Sequence, residues 1–488
     1  MASTGPWRRP PPSPAGRPCA AIRSISGWLP ASSCVRGAGP AIVPVGRPRS
    51  RPPSAVRDRS VGVSTVAVRL GSAGEAGDVV GLLDIGNGKT ACSIVALTGP
   101  GRGLAGMRVL GVGVEPSRGM KGGLVVELGE AEQAVRGAVA QAEKAAGVAV
   151  EEVFLSVACG RLRSSTFTAH TEIEGHVVGT GDIERLMAAA RAHAEREGRA
   201  VLHLGCLSYR LDGAAGVADP LGMAGRSLGA DLHAVTADEA PLRNLLHVVE
   251  RAYLTAAGFA AAPHAGGLAA TTDEERRQGV VCLDLGAGTT MISAFAGGHL
   301  LWNEVVPVGG NHATFDLAQE LGAPAHEAER LKKEFASLAR GADDGREAVA
   351  YAVYGAAGGP GARGRTTTGE IAAIVRGRML RLFGHIAGRI DRSGVASYAM
   401  RRIVLCGGGS RLAGLGEFAA DFFARPVRVA RIEPLEGMPP AFAGPEYATL
   451  LGLAHVAADP AAGAWWMSSA RQSGSYLKRM GQWLREGF

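Results

Sequence analysis

Apolar residues gather in short runs along this chain, and twice such a run ends on Asp followed by a Gly-x-Gly turn. Gly81-Leu82-Leu83-Asp84-Ile85-Gly86-Asn87-Gly88-Lys89-Thr90 is echoed two hundred residues later by Val281-Cys282-Leu283-Asp284-Leu285-Gly286-Ala287-Gly288-Thr289-Thr290. Each copy predicts a strand with Asp near its end, a hairpin turn and a second strand, the glycines standing where backbone passes close to something bulky. Beyond the first copy the pattern predicts a strand over 109–115, an Ala-rich helix over 128–147 and a strand over 153–157. From about 158 the text changes character: 176–178 and 201–204 read as short strands, with a helix over 182–197 between them. Leu242, Leu245, Leu246 and Val249 recur at helical spacing and predict a crossover helix over 237–257. In the second half the pattern predicts a Gly-rich loop over 355–369, a long helix over 371–390 and a strand over 401–406. Gly407-Gly408-Gly409-Ser410 and a helix from Leu412 follow.

The last fifteen residues carry a different periodicity. On a helix, Tyr476, Leu477, Met480, Trp483, Leu484 and Phe488 share an arc of roughly 140°. Lys478, Arg479, Gln482, Arg485 and Glu486 take the other side. A bilayer crossing needs about 20 apolar residues, so this segment is too short to span. An aromatic apolar face opposite basic residues suits an interfacial helix on an anionic membrane surface. The other reading is a terminal helix packed on the body. The stretch from Gly463 to Ser473, small and polar apart from Trp465, Trp466 and Met467, reads as a tether and favours the membrane.

The paired turns also carry chemistry. A strand end can fix a carboxylate beside free backbone amides, which suits a phosphate chain carrying a divalent cation. Two copies suggest a duplicated fold closing on one nucleotide from both sides. Three successive glycines, Gly407, Gly408 and Gly409, let backbone lie against a flat purine ring. Glu329 and Lys332, three apart, share a helix face and either reach a ribose together or form an ordinary solvated ion pair.

These elements together resemble the actin, DnaK and sugar-kinase superfamily and, within it, the FtsA family of bacterial cell-division proteins, from about residue 79 to the end. Two loops add to the resemblance, Ser117-Arg118-Gly119-Met120-Lys121-Gly122-Gly123 and Asp219-Pro220-Leu221-Gly222-Met223-Ala224-Gly225, as does the C-terminal stretch. It implies an α/β, actin-like, duplicated ribonuclease-H-like fold with two inserted subdomains and a C-terminal amphipathic helix. The corresponding organisation is an extension over 1–78, a first half over 79–157 (1A), an insertion over 158–237 (1C) and the rest of the first half over 238–278. The second half follows over 279–307 (2A), with an insertion over 308–372 (2B), its remainder over 373–457, a linker over 458–473 and the membrane helix over 474–488.

On this resemblance Asp84 and Asp284 face the β- and γ-phosphates of ATP through Mg²⁺ and its waters. Gly86, Asn87, Gly88, Gly286, Gly288, Thr289 and Thr290 supply amides and hydroxyls, and Lys89 either reaches phosphate or is solvated. Residues 260–272 are mostly small and uncharged and offer no evident base to orient water, so the expectation is ATP binding with slow or negligible turnover. The family implies binding of the FtsZ C-terminal peptide through 2B, contact with later division proteins through 1C and self-polymerisation. It also implies a peripheral position on the cytoplasmic face of the inner membrane at the septum. The alternatives are a PilM-type membrane scaffold and a sugar-kinase-like enzyme, neither of which accounts for a terminal Trp-containing helix.

Composition changes the picture only at the N-terminus. The chain of 488 residues has a formal charge of +7, but residues 1–69 hold eleven Arg, no Lys and one acid, Asp58. That segment carries +10, leaving −3 for the remainder, so the body has no basic excess to suggest nucleic acid. Twelve of the 26 prolines lie in the first 60 residues, a composition that disfavours folding. Three readings stand for the extension: a transit-peptide-like segment, a basic arm, or untranslated sequence ahead of a start between Val61 and Val79, which is favoured. The seven cysteines form no Cys-x-x-Cys pair, as in a reducing compartment, and the twelve histidines show no spacing that reads as a metal site.

Overall fold

The computed structural model describes residues 79–97, 104–195, 198–354 and 363–458. The extension over 1–78 and the membrane-helix residues from Tyr476 to Phe488 lie outside the described residues.

Strands β1 (Val79–Ile85), β2 (Lys89–Leu97) and β3 (Met107–Pro116) form an antiparallel meander. The two-residue strands β4 (Met120–Lys121) and β5 (Leu124–Val125) lead into helix α1 (Leu128–Ala146) and strand β6 (Glu152–Val157). The helix forms because Ala131, Ala134, Val135, Ala138, Val139 and Ala142 fall on one buried face. It stops at Gly147, whose left-handed backbone lets its N–H reach the Glu143 carbonyl.

The chain then leaves the sheet. Strands β7 (Arg163–Glu172), β8 (Arg199–Leu211), β9 (Ala214–Val217) and β10 (Ser227–Asp238) form a second sheet in the order β7-β10-β8-β9, and helix α2 (Thr180–Ala194) covers its apolar face. Sequence and structure differ here. Residues 176–178 are no strand but the end of a 3₁₀ turn and one isolated bridge, Val177 to Ala224. The helix ends at Ala194, and β7 and β10 carried no recognisable signal. β7 is the polar edge run RSSTFTAHTE, and β10 (SLGADLHAVTAD) holds Gly, Ala and Asp yet is buried at every position but its ends. Burial between neighbours overrides propensity there.

Helix α3 (Glu239–Arg251) returns to the first sheet through strand β11 (Thr255–Ala261), shortening the crossover helix expected over 237–257 at both ends. Helices α4 (Ala262–Ala270) and α5 (Asp273–Gln278) lead to the second half, where β12 (Val280–Leu285), β13 (Thr290–Ala296) and β14 (His299–Val306) repeat the meander. Next come α6 (Gly310–Leu321), α7 (Ala325–Phe335), the hairpin of β15 (Ala348–Ala352) and β16 (Arg363–Thr367), α8 (Thr368–Ser393) and α9 (Ala396–Ala399). The Gly-rich stretch expected as loop to 369 therefore becomes strand at Arg363 and helix at Thr368. Strand β17 (Ile403–Cys406), helix α10 (Leu415–Phe423), strand β18 (Val427–Val429) and helix α11 (Ala448–Ala458) complete the described chain. A 3₁₀ turn over Gly408–Arg411 delays α10 from the expected Leu412 to Leu415.

The duplication reaches into the registers. The two five-stranded sheets run β3-β2-β1-β6-β11 and β14-β13-β12-β17-β18, three antiparallel strands and then two parallel ones in each. Their β-bulges also correspond, falling between Ile94 and Val95 in the first and between Ala294 and Phe295 in the second. β12 alternates its faces: Val281, Leu283 and Leu285 enter a core with α8 and α10, while Val280 and Cys282 join the core shared with the first sheet and α11.

The buried Glu275 of α5 staples this second half. It accepts from Arg428 Nε at 2.7 Å and lies 3.4 Å from Arg402 Nη1, and despite burial these partners pull its carboxyl down to about 2. Replacing Glu275 by Gln should cost about 3 kcal/mol, the low end for a buried pair losing a partner. Urea titration at pH 7 reads this directly.

Candidate nucleotide site

Two carboxylate hairpins meet tip to tip. Asp84 lies near the end of β1 and Asp284 near the end of β12, at matching positions opposite Ala91 and Met291. A Cβ placed on Gly288 would lie 2.7 Å from Asn87 Cγ, and one on Gly88 would lie 2.8 Å from Ala287 Cβ. The bulky neighbour inferred for these glycines is thus the opposite hairpin. Gly86 and Gly286 close the turns, each donating its N–H to the carbonyl of the residue three further on, Lys89 at 3.0 Å and Thr289 at 2.9 Å.

Each carboxylate receives a hydroxyl. Ser156 Oγ of β6 donates to Asp84 Oδ1 at 2.5 Å, and Thr449 Oγ1 of α11 donates to Asp284 Oδ2 at 3.1 Å. Asp284 is buried, and burial reinforced by the charge of Asp84 pushes its carboxyl up to about 6. Burial also raises Asp84, against the pull of Ser156 and Lys89. Lys89 is not simply solvated. Its Nζ lies 3.5 Å from the centre of the Tyr447 ring, and burial lowers its pKa against the attraction of Asp84, Glu446 and Asp284. Two mutually repelling carboxylates beside one cation form a donor set that a hydrated divalent cation fits, because its charge would relieve both.

The other expected residues are distributed as follows. Asn87 Oδ1 accepts from Gly123 N–H at 3.2 Å. Thr289 and Thr290 are buried, and the Thr290 hydroxyl already donates to the Val308 carbonyl at 2.7 Å, so it is not free to donate to a phosphate. Lys332 Nζ donates to Glu329 Oε2 at 2.6 Å, Thr314 Oγ1 at 2.8 Å and the Gly310 carbonyl at 3.2 Å. Gly310 and Asn311, at the start of α6, donate their N–H groups to the carbonyls of Gly286 and Ala287. The Glu329–Lys332 pair is therefore joined to the second hairpin through the start of α6 and is not an isolated surface ion pair.

The glycine loop has a reason of its own. Gly407 has φ 78°, and a Cβ there would overlap Asp284 Oδ1, while a Cβ on Gly409 would lie 2.9 Å from Leu285 Cβ. Two of the three glycines are thus demanded by the second hairpin itself. Gly408 has open space, its nearest neighbour being Glu446 Cβ at 4.0 Å. Sequence reasoning missed Ser156, Arg411, Glu446, Tyr447 and Thr449. Arg411 Nη1 donates to Glu446 Oε1 at 2.6 Å beside this loop, and Glu446 Oε2 is buried without a partner among the described residues. No spacing in the sequence ties these residues to the hairpins.

Duplicated sheets, carboxylate hairpins and two intervening helices make this an actin-like protein. The architecture is shared with a chain of the PilM-PilN type IV pilus biogenesis complex (TM-score 0.55, 17% identity, 78% of this chain and 99% of that one), a likeness of fold alone. Sequence relatives are more specific. Profiles described as Cell division protein FtsA and SHS2 domain inserted in FTSA match residues 281–452 and 159–236. Cell division protein FtsA of Rhizobium meliloti (strain 1021) is 39% identical over 84% of this chain and 95% of its own length. The FtsA proteins of Neisseria meningitidis (29%) and Escherichia coli K12 (28%) each align over 84% of this chain and 98% of theirs. The chain belongs to the FtsA family of cell-division proteins.

Proposed function

We propose that this protein is an ATP-binding, actin-like adaptor of cell division that tethers FtsZ filaments to the inner face of the cytoplasmic membrane. The observation that carries the nucleotide part is the pair of carboxylate hairpins meeting at their tips within one chain of this family. Asp84 and Asp284 hold the waters of Mg²⁺, the hairpin amides and Lys89 take phosphate oxygens, and Gly408 leaves room for the base, with Glu329 and Lys332 towards the ribose. Residues 260–272 hold no carboxylate to orient water, Glu329 is taken up by Lys332 and Thr314, and one oxygen of Glu446 is held by Arg411. Turnover is accordingly slow, and the nucleotide acts by favouring one closure of the cleft over another.

The tether is the terminal segment, with Tyr476, Leu477, Met480, Trp483, Leu484 and Phe488 entering the interface and Lys478, Arg479 and Arg485 meeting anionic headgroups. Among the described residues no helix is long and apolar enough to cross a membrane. The 2B insertion takes the FtsZ C-terminal peptide, the 1C insertion meets later division proteins, and the protein polymerises with itself. Co-sedimentation with anionic liposomes and ATP tests the tether. The full chain should pellet and carry FtsZ with it, while a chain ending at Ser473 and a Trp483→Glu variant should stay in the supernatant. Equal behaviour of all three would remove the membrane part and leave a nucleotide-binding scaffold.

A further inference from the structure

The geometry points to Thr449 as a positioning residue for Asp284, through which the crossing of α4 and α11 sets the carboxylate that holds the cation's water shell. The inference rests on the nucleotide reading above and assigns to α11 a part in it.

The two repeats brace their carboxylates by different means. Asp84 is held from within its own sheet by Ser156 of β6. The equivalent strand in the second sheet, β17, offers Leu405 and Cys406 and no hydroxyl. Asp284 is held instead by Thr449, 165 residues away in sequence and buried at the start of α11. A buried carboxylate with one strong donor takes its rotamer from that donor, and a hydrogen bond to a charged group is among the stronger kinds.

The placement of Thr449 is itself determined by close packing. A Cβ on Gly452 would overlap the Ala265 carbonyl, so α11 lies on α4 with backbones in contact. A Cβ on Gly266 would stand 3.1 Å from Thr449 Oγ1 and 3.3 Å from Asp284 Oδ2. Gly266 thus leaves the gap in which hydroxyl and carboxylate meet. On the far side, Gly407 leaves the gap for Asp284 Oδ1. Asp284 is therefore fixed between a hydroxyl from one helix, bare backbone from the other and the glycine loop. Three elements distant in sequence converge on one carboxylate, and a plain buried threonine satisfied by its own helix would need none of this.

The test measures ATP affinity of the full-length protein by calorimetry, with Mg²⁺ and with excess EDTA, in wild type, Thr449→Val, Thr449→Ser and Gly266→Ala. Thermal unfolding without nucleotide reports whether each variant is folded. Thr449→Val should weaken Mg·ATP about tenfold, the scale of one hydrogen bond to a charged group. It should leave the Mg-free affinity within about twofold, and Thr449→Ser should restore binding. Gly266→Ala should follow Thr449→Val in direction. Equal loss with and without Mg²⁺, or unchanged Mg·ATP binding by Thr449→Val, overturns the positioning role while wild-type binding keeps the nucleotide reading. Wild-type protein that binds no ATP overturns both. If Thr449→Val does not fold, Gly266→Ala and Thr449→Ser decide: Mg-specific weakening by the first and wild-type binding by the second support the role, and any other pair of results overturns it.

Discussion

Asp284→Asn should make the nucleotide-free protein more stable while removing most of its affinity for Mg·ATP. The buried Asp284 carboxyl titrates near 6, against 3.8 in its unperturbed state. A group whose folded pKa lies above its unfolded one supplies stability that is fully present below the unfolded value and lost as pH rises through the folded value. At pH 8 the folded protein therefore holds an ionised Asp284 at a cost of roughly 3 kcal/mol, 1.36 for each pH unit separating the two pKa values. Asparagine carries no charge and removes that cost, so thermal unfolding without nucleotide at pH 8 should move upward. The gain should shrink below pH 6 and vanish near pH 4. The same substitution removes a carboxylate from the cation's water shell, and Mg·ATP affinity should fall at least 100-fold, about 2.7 kcal/mol. The opposed signs are the content of the prediction, since a site built for a charged ligand is strained without it. A variant that is less stable at pH 8, or that binds Mg·ATP as wild type does, would show that the two hairpins hold something other than a cation.

The sequence made the repeat legible because it rests on local rules. A strand that ends on Asp and turns on glycine leaves the same trace at 84 and at 284, and the registers of β1–β2 and β12–β13 follow from it. α1 and α8 were legible for the same reason, their apolar positions recurring every three or four residues. α4 was not: Ala-Pro-His-Ala-Gly-Gly-Leu-Ala-Ala has no polar face because nearly the whole helix is buried between the sheets, and a helix buried all round shows no amphipathic period. β7 and β10 failed for the converse reason, since partners far along the chain fix them as strands. The site divides along the same line. Asp84, Asp284 and the glycines were visible in their own turns. Ser156, Thr449, Tyr447 and Arg411 reach the hairpins from elements whose placement only the fold decides. Gly88, Gly288, Gly407 and Gly409 are also required by neighbouring protein before any ligand enters, a constraint that their own turns do not reveal.

Acid should destabilise this protein from about pH 6.5 downward, and part of the cause lies in the small, uncharged stretch over 260–272. His264 of α4 stands with its ring centre 4.6 Å from that of His203 on β8, and His203 lies 6.1 Å from His233 on β10. All three are buried, and neither ring nitrogen of His233 has a hydrogen-bond partner among the described residues. Burial lowers His203 to about 4 and His233 to about 3, and it lowers His264 well below its usual value. The charges acting on His264 are the other two imidazoles and Arg276, all of which oppose a further proton. His455 of α11, lowered to about 4 by burial, works in the same direction. Here the folded pKa lies below the unfolded 6.5, so the unfolded chain takes up protons first and stability falls as pH drops from 6.5 towards 4. At pH 4.5 His203 and His233 together cost roughly 5 kcal/mol, His264 adds to that loss in the same sense, and Asp284 returns about 2 by titrating in the opposite sense. A loss of that size is a large fraction of the stability of an ordinary domain. Urea titrations from pH 7.5 to 4.5 should show a steep decline beginning near 6.5. In His233→Leu, which replaces an unpaired buried imidazole by an apolar group of similar bulk, the decline should be shallower by one proton, about 1.4 kcal/mol per pH unit. The same variant should be at least as stable as wild type at pH 7.5, because it no longer buries an unsatisfied polar ring. A profile that stays flat to pH 5, or an unchanged slope in His233→Leu, would mean that water reaches these rings and that the seam between the inserted sheet and α4 is open.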